Sequence, residues 1–273
     1  DRIRLQMSRD LLYLETFLGT YERSARTHEI LRALTQLVTL QGGLEGPSPG
    51  LVNVLDWLED SSVQKLTAFS GTPAQEPIRV YVGLDTAPTA QERAALAVKE
   101  LERTGAFERG ILVVAGTTGT GWLEPQTVDT IEYEWNGDSA IVGIQYSYLP
   151  SWISTLVDVD KAKEAGTALF EAVHAKWETL PAGSRPKLIA YGLSLGSFSM
   201  QSPFSSAQDL ATRTQGAVFV GSPNFSQPWG QISLEREPGS PQWKPVYQQG
   251  KIVRFGGSPA DLDSPAGAWG QTR

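Results

Sequence analysis

The stretch Lys187-Leu188-Ile189-Ala190-Tyr191-Gly192-Leu193-Ser194-Leu195-Gly196-Ser197 constrains the chain more than any other. Its apolar start reads as a buried strand. The strand runs directly into Gly-x-Ser-x-Gly, and the small residues that follow can open a helix. Strand, sharp turn and helix in that order make a nucleophile elbow with Ser194 at its tip. Gly192 and Gly196 have a mechanical role there. Without Cβ atoms, strand and helix can approach closely around a serine held in a strained conformation. The same turn aims backbone N–H groups at the serine. The motif alone recurs by chance; the strand directly before it carries the reading. The plainer alternative is a Gly/Ser-rich turn that lets a helix rest on a sheet.

From Pro77 onward, strands and helices alternate. Strands are predicted over 78–82, 111–115, 140–146, 187–191, 216–220 and 251–255. Helices are predicted over 89–103 and 159–180. Strands separated by helices need crossover connections, so the sheet is mostly parallel, with helices on both faces. Residues 222–250, rich in Pro, Gly, Ser and Gln, read as one long loop.

Residues 1–75 have a different pattern and form a helical N-terminal segment; the α/β domain takes 76–273. Leu11, Leu12, Leu14, Phe17 and Leu18 make one apolar group. Ile30, Leu31, Leu34, Leu37, Val38 and Leu40 recur at helical spacing up to Gly42-Gly43. Ser48-Pro49 resembles a helix start, followed by Leu51, Val54, Leu55 and Leu58. A lid or partner-binding arm is one reading. Packing against the main domain or another segment is the plainer and preferred one.

Composition sets outer bounds. A chain of 273 residues suits one large α/β domain or a domain with an appendage, and 40% hydrophobic residues supply a core. The net charge of −7, from 23 basic and 30 acidic residues, argues against a nucleic-acid partner. With no cysteine there is no disulfide and no thiolate chemistry. No run of about 18 apolar residues is present to span a bilayer. No secretory leader is recognisable, and because the chain opens on Asp1 rather than Met, the expectation is a piece of a longer protein.

In a parallel sheet, ligands lie beyond the carboxyl ends of the strands. The loop after 111–115 is Gly116-Thr117-Thr118-Gly119-Thr120-Gly121-Trp122. Such a loop supplies one oxyanion-hole N–H, and the residue after the nucleophile supplies the other. Leu195 takes the second role by position. Thr117 is the first choice for the other, with Thr118 and Thr120 as alternatives. Phosphate binding does not fit: the glycine order is not Gly-x-Gly-x-x-Gly, and Trp122 stands where a P-loop needs Lys. A glycine-rich turn without ligand is the plain alternative. Tyr146-Ser147-Tyr148-Leu149-Pro150-Ser151-Trp152, and Phe225 and Trp229, either line an acyl groove or pack at its rim. The chemistry calls for no cofactor and no metal.

A nucleophilic serine needs a histidine oriented by a carboxylate. In this fold both follow the serine in the chain, yet no histidine follows Ser194. His174 falls late in the helix leading into the elbow strand, over 10 Å from Ser194 on about 3.3 Å per strand residue, and reads as structural. His28 reads as solvated. The chain stops before its base, or it is a binding protein on a hydrolase scaffold, or another chain supplies the base. The irregular ending Gly267-Ala268-Trp269-Gly270-Gln271-Thr272-Arg273 favours the first, with the last strands of the sheet missing.

Several segments resemble an actinobacterial family in which N-terminal membrane spans precede an α/β-hydrolase domain. They are Pro77–Leu84, Arg103–Phe107, Thr118–Trp122, Gln145–Trp152, Arg185–Leu188 with the elbow, and Trp243–Tyr247. The resemblance covers residues 77–273. It implies a serine hydrolase acting on small acyl esters, lipids or envelope esters, and a membrane location through spans outside this sequence. Ser194 maps onto the nucleophile. Acid and histidine would lie in a segment after Arg273. Leu193 stands where a polar residue is expected, which alters the pocket and no role. An esterase, lipase or acyltransferase is the leading expectation. The alternative is a non-catalytic module that binds a lipid or a protein.

Overall fold

A computed structural model describes residues 63–148, 154, 159–258 and 261. The expected helices before residue 63, His28, residues 149–152 and the terminal stretch 267–273 lie outside the described residues. Val63–Ser70 forms helix α1.

Five strands make one sheet: β1 (Ile78–Val82), β2 (Ile111–Gly116), β3 (Ser139–Ile144), β4 (Lys187–Leu193) and β5 (Gly216–Val220). Their order is β1-β3-β2-β4-β5, and every pair is parallel. Val114 of β2 lies between Val142 of β3 and Ala190 of β4, so β2 is the middle of the sheet. Every residue of β1, β2 and β3 is buried. That explains why these strands read as unbroken apolar runs instead of alternating patterns.

The crossovers place helices on both faces. One layer holds α2 (Ala90–Arg103), α4 (Val159–Glu178) and α5 (Leu195–Gln201). Against it pack Val80, Leu112, Val114, Val142, Leu188 and Ala190. The other layer is α3 (Pro125–Glu134), covering Tyr81, Val113, Ile141 and Tyr191 through Leu123, Val128 and Ile131. Each fully buried aliphatic side chain contributes about 1.5–3 kcal/mol. The edge strand β5 leaves Val218 51% and Val220 42% exposed on the face away from α5.

Local chemistry fixes the helix starts. Thr89 and Glu92 form a reciprocal capping box at α2, and Glu124 accepts the Thr127 N–H ahead of Pro125 in α3. Gly166 brings α4 onto α5, since a Cβ there would fall 2.1 Å from Ser199 O.

Two expectations are corrected. The segment 251–255 is not a strand. Gln248 and Gln249 adopt φ of 45° and 57°, turning the chain back so that Val253 meets only Tyr247 in an isolated antiparallel bridge. Residues 222–250 are not one loop either. Gln227–Leu234 forms helix α7, with Pro228 in its first turn where no donor is lost. The short helices α3 and α6 (Ala207–Arg213) are further elements that apolar periodicity did not reveal.

Candidate active site

Ser194 sits between β4 and α5 with φ 52° and ψ −121°, and its side chain is exposed. A non-glycine residue in such a conformation stores about 1–3 kcal/mol and persists only where its surroundings hold it. Here the Ser194 N–H donates to Val220 O at 2.8 Å, tying the elbow to the end of β5. Its carbonyl accepts from the N–H groups of Ser197 and Phe198 at 2.9 and 3.2 Å. A Cβ on Gly192 would fall 2.4 Å from Gly196 O, so strand and helix touch as the motif anticipates. Gly116 is a third contact glycine, whose part the sequence did not disclose.

The loop after β2 lies against this elbow. Thr118 N–H donates to Trp122 O at 2.9 Å, and Trp122 N–H returns to Thr118 O at 3.0 Å. Gly119 N–H donates to the Tyr146 hydroxyl at 2.8 Å. Tyr81 Oη donates to Gly121 O at 3.2 Å, where φ is 102° and a Cβ would fall 1.9 Å from that hydroxyl. Gln145 braces the rim: its Oε1 accepts from Leu84 N–H at 3.0 Å, and its Nε2 donates to Thr120 O at 2.9 Å and Ser147 O at 3.1 Å.

These bonds sort the oxyanion alternatives. The Thr118 amide is committed to Trp122, which removes it. Among the described residues, the amides of Thr117, Thr120 and Leu195 have no hydrogen-bond partner. Leu195 begins α5, where the first N–H groups have no acceptor within the helix. The Thr117 side chain is turned away, donating to Ile144 O at 2.8 Å. The Thr118 side chain reaches the elbow, donating to Leu193 O at 2.8 Å and accepting from Gly196 N–H at 3.3 Å.

Behind the elbow, Gln201 Nε2 donates to Ser197 Oγ at 2.8 Å and Ser222 Oγ at 2.9 Å, while its Oε1 accepts from Trp229 N–H at 3.3 Å. One glutamine thereby joins α5, the exit of β5 and α7. Phe225 sets its ring edge-on to Phe198 at 5.0 Å, and Tyr146 is buried. Tyr146 thus belongs to the core, while Phe225 stays 42% exposed. This polar junction left no signal in the sequence, because Ser197, Gln201, Ser222 and Trp229 meet only in space.

His174 is buried on α4, its ring stacked 5.5 Å from Phe170 and 5.8 Å from Trp177. Trp177 Nε1 donates to Pro186 O at 2.8 Å, so this end of α4 lies where β4 begins. Ser194 follows the other end of β4, roughly 20 Å away at about 3.3 Å per residue. Burial, then the nearby Arg213, lowers the His174 pKa below its ordinary value, as suits an uncharged packing residue. Among the described residues, no cluster of His, Asp or Glu is arranged to hold a metal.

The model of an alpha/beta-hydrolase family matches residues 78–273. No curated protein and no solved structure matches the chain. The family match starts at β1, takes in every described strand and includes the elbow. It covers most of the sequence, and the parallel sheet with helices on both faces agrees with it: the chain belongs to the alpha/beta-hydrolase family.

Proposed function

We propose that the chain carries the nucleophile and oxyanion donors of a serine hydrolase acting on acyl esters, lipid or envelope esters among them. One observation carries this reading: Ser194 is exposed at the tip of the elbow with φ 52° and ψ −121°, beside a helix-start amide without a partner. Ser194 Oγ attacks the acyl carbon while a base takes its proton. The carbonyl oxygen becomes an oxyanion, held by the N–H groups of Leu195 and Thr117. One such donor is worth about 10²–10³ in kcat. The base then protonates the leaving alcohol, leaving an acyl-enzyme. Water releases the acid in an esterase or lipase; an acceptor alcohol takes the acyl group in an acyltransferase.

His174 is too far away to serve, so in this reading the base comes from outside the described residues. The membrane attachment implied by the resemblance is likewise a proposal; no helix among the described residues is long and apolar enough to cross a bilayer. Fractionation of the full-length protein tests it.

A fluorophosphonate probe on the full-length protein tests the nucleophile. Label on Ser194, lost in S194A, supports the reading; a folded full-length protein that takes no label overturns it. The absence of a histidine near Ser194 among the described residues favours the second reading, a non-catalytic module that binds a lipid or a protein. That reading predicts no label and no ester turnover, with lipid or protein binding kept in S194A.

A further inference from the structure

The two proposed oxyanion donors sit on separate segments: Leu195 on the elbow and Thr117 on the loop after β2. Their spacing must hold to within about 0.5 Å for both to meet one oxyanion. Backbone strain at Ser194 works against that, because a residue at φ 52° relaxes unless the peptides around it are held. Val220 O secures the Ser194 amide and the Ser197 and Phe198 N–H groups hold its carbonyl, but neither ties the elbow to the loop after β2.

We infer that Thr118 is a positioning residue that clamps the elbow from both sides of Ser194, and this rests on the serine-hydrolase reading above. Its Oγ1 donates to Leu193 O, the carbonyl before the serine, at 2.8 Å. The same oxygen accepts from Gly196 N–H, two residues after the serine, at 3.3 Å. One hydroxyl therefore holds both shoulders of the turn. It also takes up the Gly196 amide and leaves the Leu195 amide as the donor without a partner.

The clamp is itself rigid. Thr118 is buried, its backbone pairs with Trp122 in both directions, and a β-branched side chain has a stiff χ1. Its neighbour Thr117 is anchored the other way, to Ile144 O at the end of β3. Adjacent threonines thus fasten one loop to β3 and to the elbow. Gly116, next in the chain, touches Gly196 directly, so a movement of the elbow is passed to the loop and back.

The test compares T118V, which keeps shape and removes the hydroxyl, with T118S, which keeps the hydroxyl. Hydrogen exchange of the Gly196 amide is followed by NMR in the full-length protein, together with the rate of fluorophosphonate labelling at Ser194. In T118V, Gly196 exchange is expected to quicken about 10-fold, with amides of β1 unchanged, and labelling to slow about 10-fold. T118S is expected to restore both to within about 3-fold. If T118V does not fold, T118A removes the same hydroxyl with less bulk. Unchanged Gly196 exchange in a folded variant without the hydroxyl overturns the clamp. Faster exchange with unchanged labelling overturns the positioning role. Should the unaltered protein take no label, the serine-hydrolase reading fails and Gly196 exchange still decides the clamp.

Discussion

A Cβ on Gly116 would fall 2.1 Å from the Gly196 carbonyl oxygen, and a Cβ on Gly196 would fall 2.2 Å from the Gly116 carbonyl oxygen. The end of β2 and the start of α5 are therefore in mutual backbone contact, with no room for a side chain on either. Each carbonyl belongs to the segment that carries a proposed oxyanion donor, so this contact sets how closely loop and elbow approach.

Alanine at Gly116 or Gly196 is expected to force the two segments apart. Overpacking of this kind costs about 1–3 kcal/mol. Urea unfolding checks the stability loss, and slower fluorophosphonate labelling of Ser194 checks the effect on the site. Gly183 is the control: nothing lies within 4 Å of a Cβ there, and G183A should stay within about 0.5 kcal/mol of the parent. Equal stability of G116A and G183A would refute the contact.

Arg79 on β1 and Glu132 on α3 form a buried, two-pronged ion pair, with both side chains almost fully enclosed. E132Q removes the two-pronged carboxylate and leaves Asp129, 4.0 Å from the guanidinium, as a more distant acidic partner, so it is expected to destabilise the fold. Replacing both, as R79M with E132L, removes the charge and its partner together and should lie near the parent. Urea unfolding of R79M, E132L and the double variant gives the coupling. A double variant whose loss equals the sum of the R79M and E132L losses would show that the residues act independently.

His174 predicts a pH response. Its folded pKa is lowered by burial, while the unfolded chain titrates near 6.5. Above that value both states are neutral at this residue and it contributes no slope. As pH falls through about 6.5, the unfolded chain takes up the proton first, so the folded state loses stability until the lowered folded pKa is reached. Glu178 and Glu171 oppose the shift and Arg185 adds to it, but burial and Arg213 outweigh them. Stability should decline between about pH 7 and 5, and H174F should flatten the decline. Denaturant midpoints across that range check it; identical slopes would remove His174 as the cause.

Much of this fold is legible in the order of residues along the chain. Buried parallel strands need apolar residues on both faces, so β1, β2 and β3 stand out as unbroken runs. β4 with Gly192 and Gly196 marks the elbow for a related reason, since sterics at a strand-to-helix turn permit few residue types. The helix over Ala90–Arg103 is legible from Thr89 and Glu92, whose reciprocal bonds act over three residues. Failures come where local pattern and global position disagree. Ile252 and Val253 have strand-like character, but Gln248 and Gln249 turn the chain away from the sheet.

The sequence by itself determined the alternation of strands and helices and the serine at the turn. Those properties reside in residue types and their order along the chain. Tertiary structure alone decided which partners meet across it. It set Gly116 against Gly196, assigned Thr118 rather than Thr117 the side-chain bonds to the elbow, and left the Thr117 and Leu195 amides uncommitted. It also buried Arg79 on Glu132, and placed His174 at the far end of β4 from Ser194. Such contacts join residues dozens of positions apart, and their geometry follows from strand order and helix packing, which no local pattern encodes.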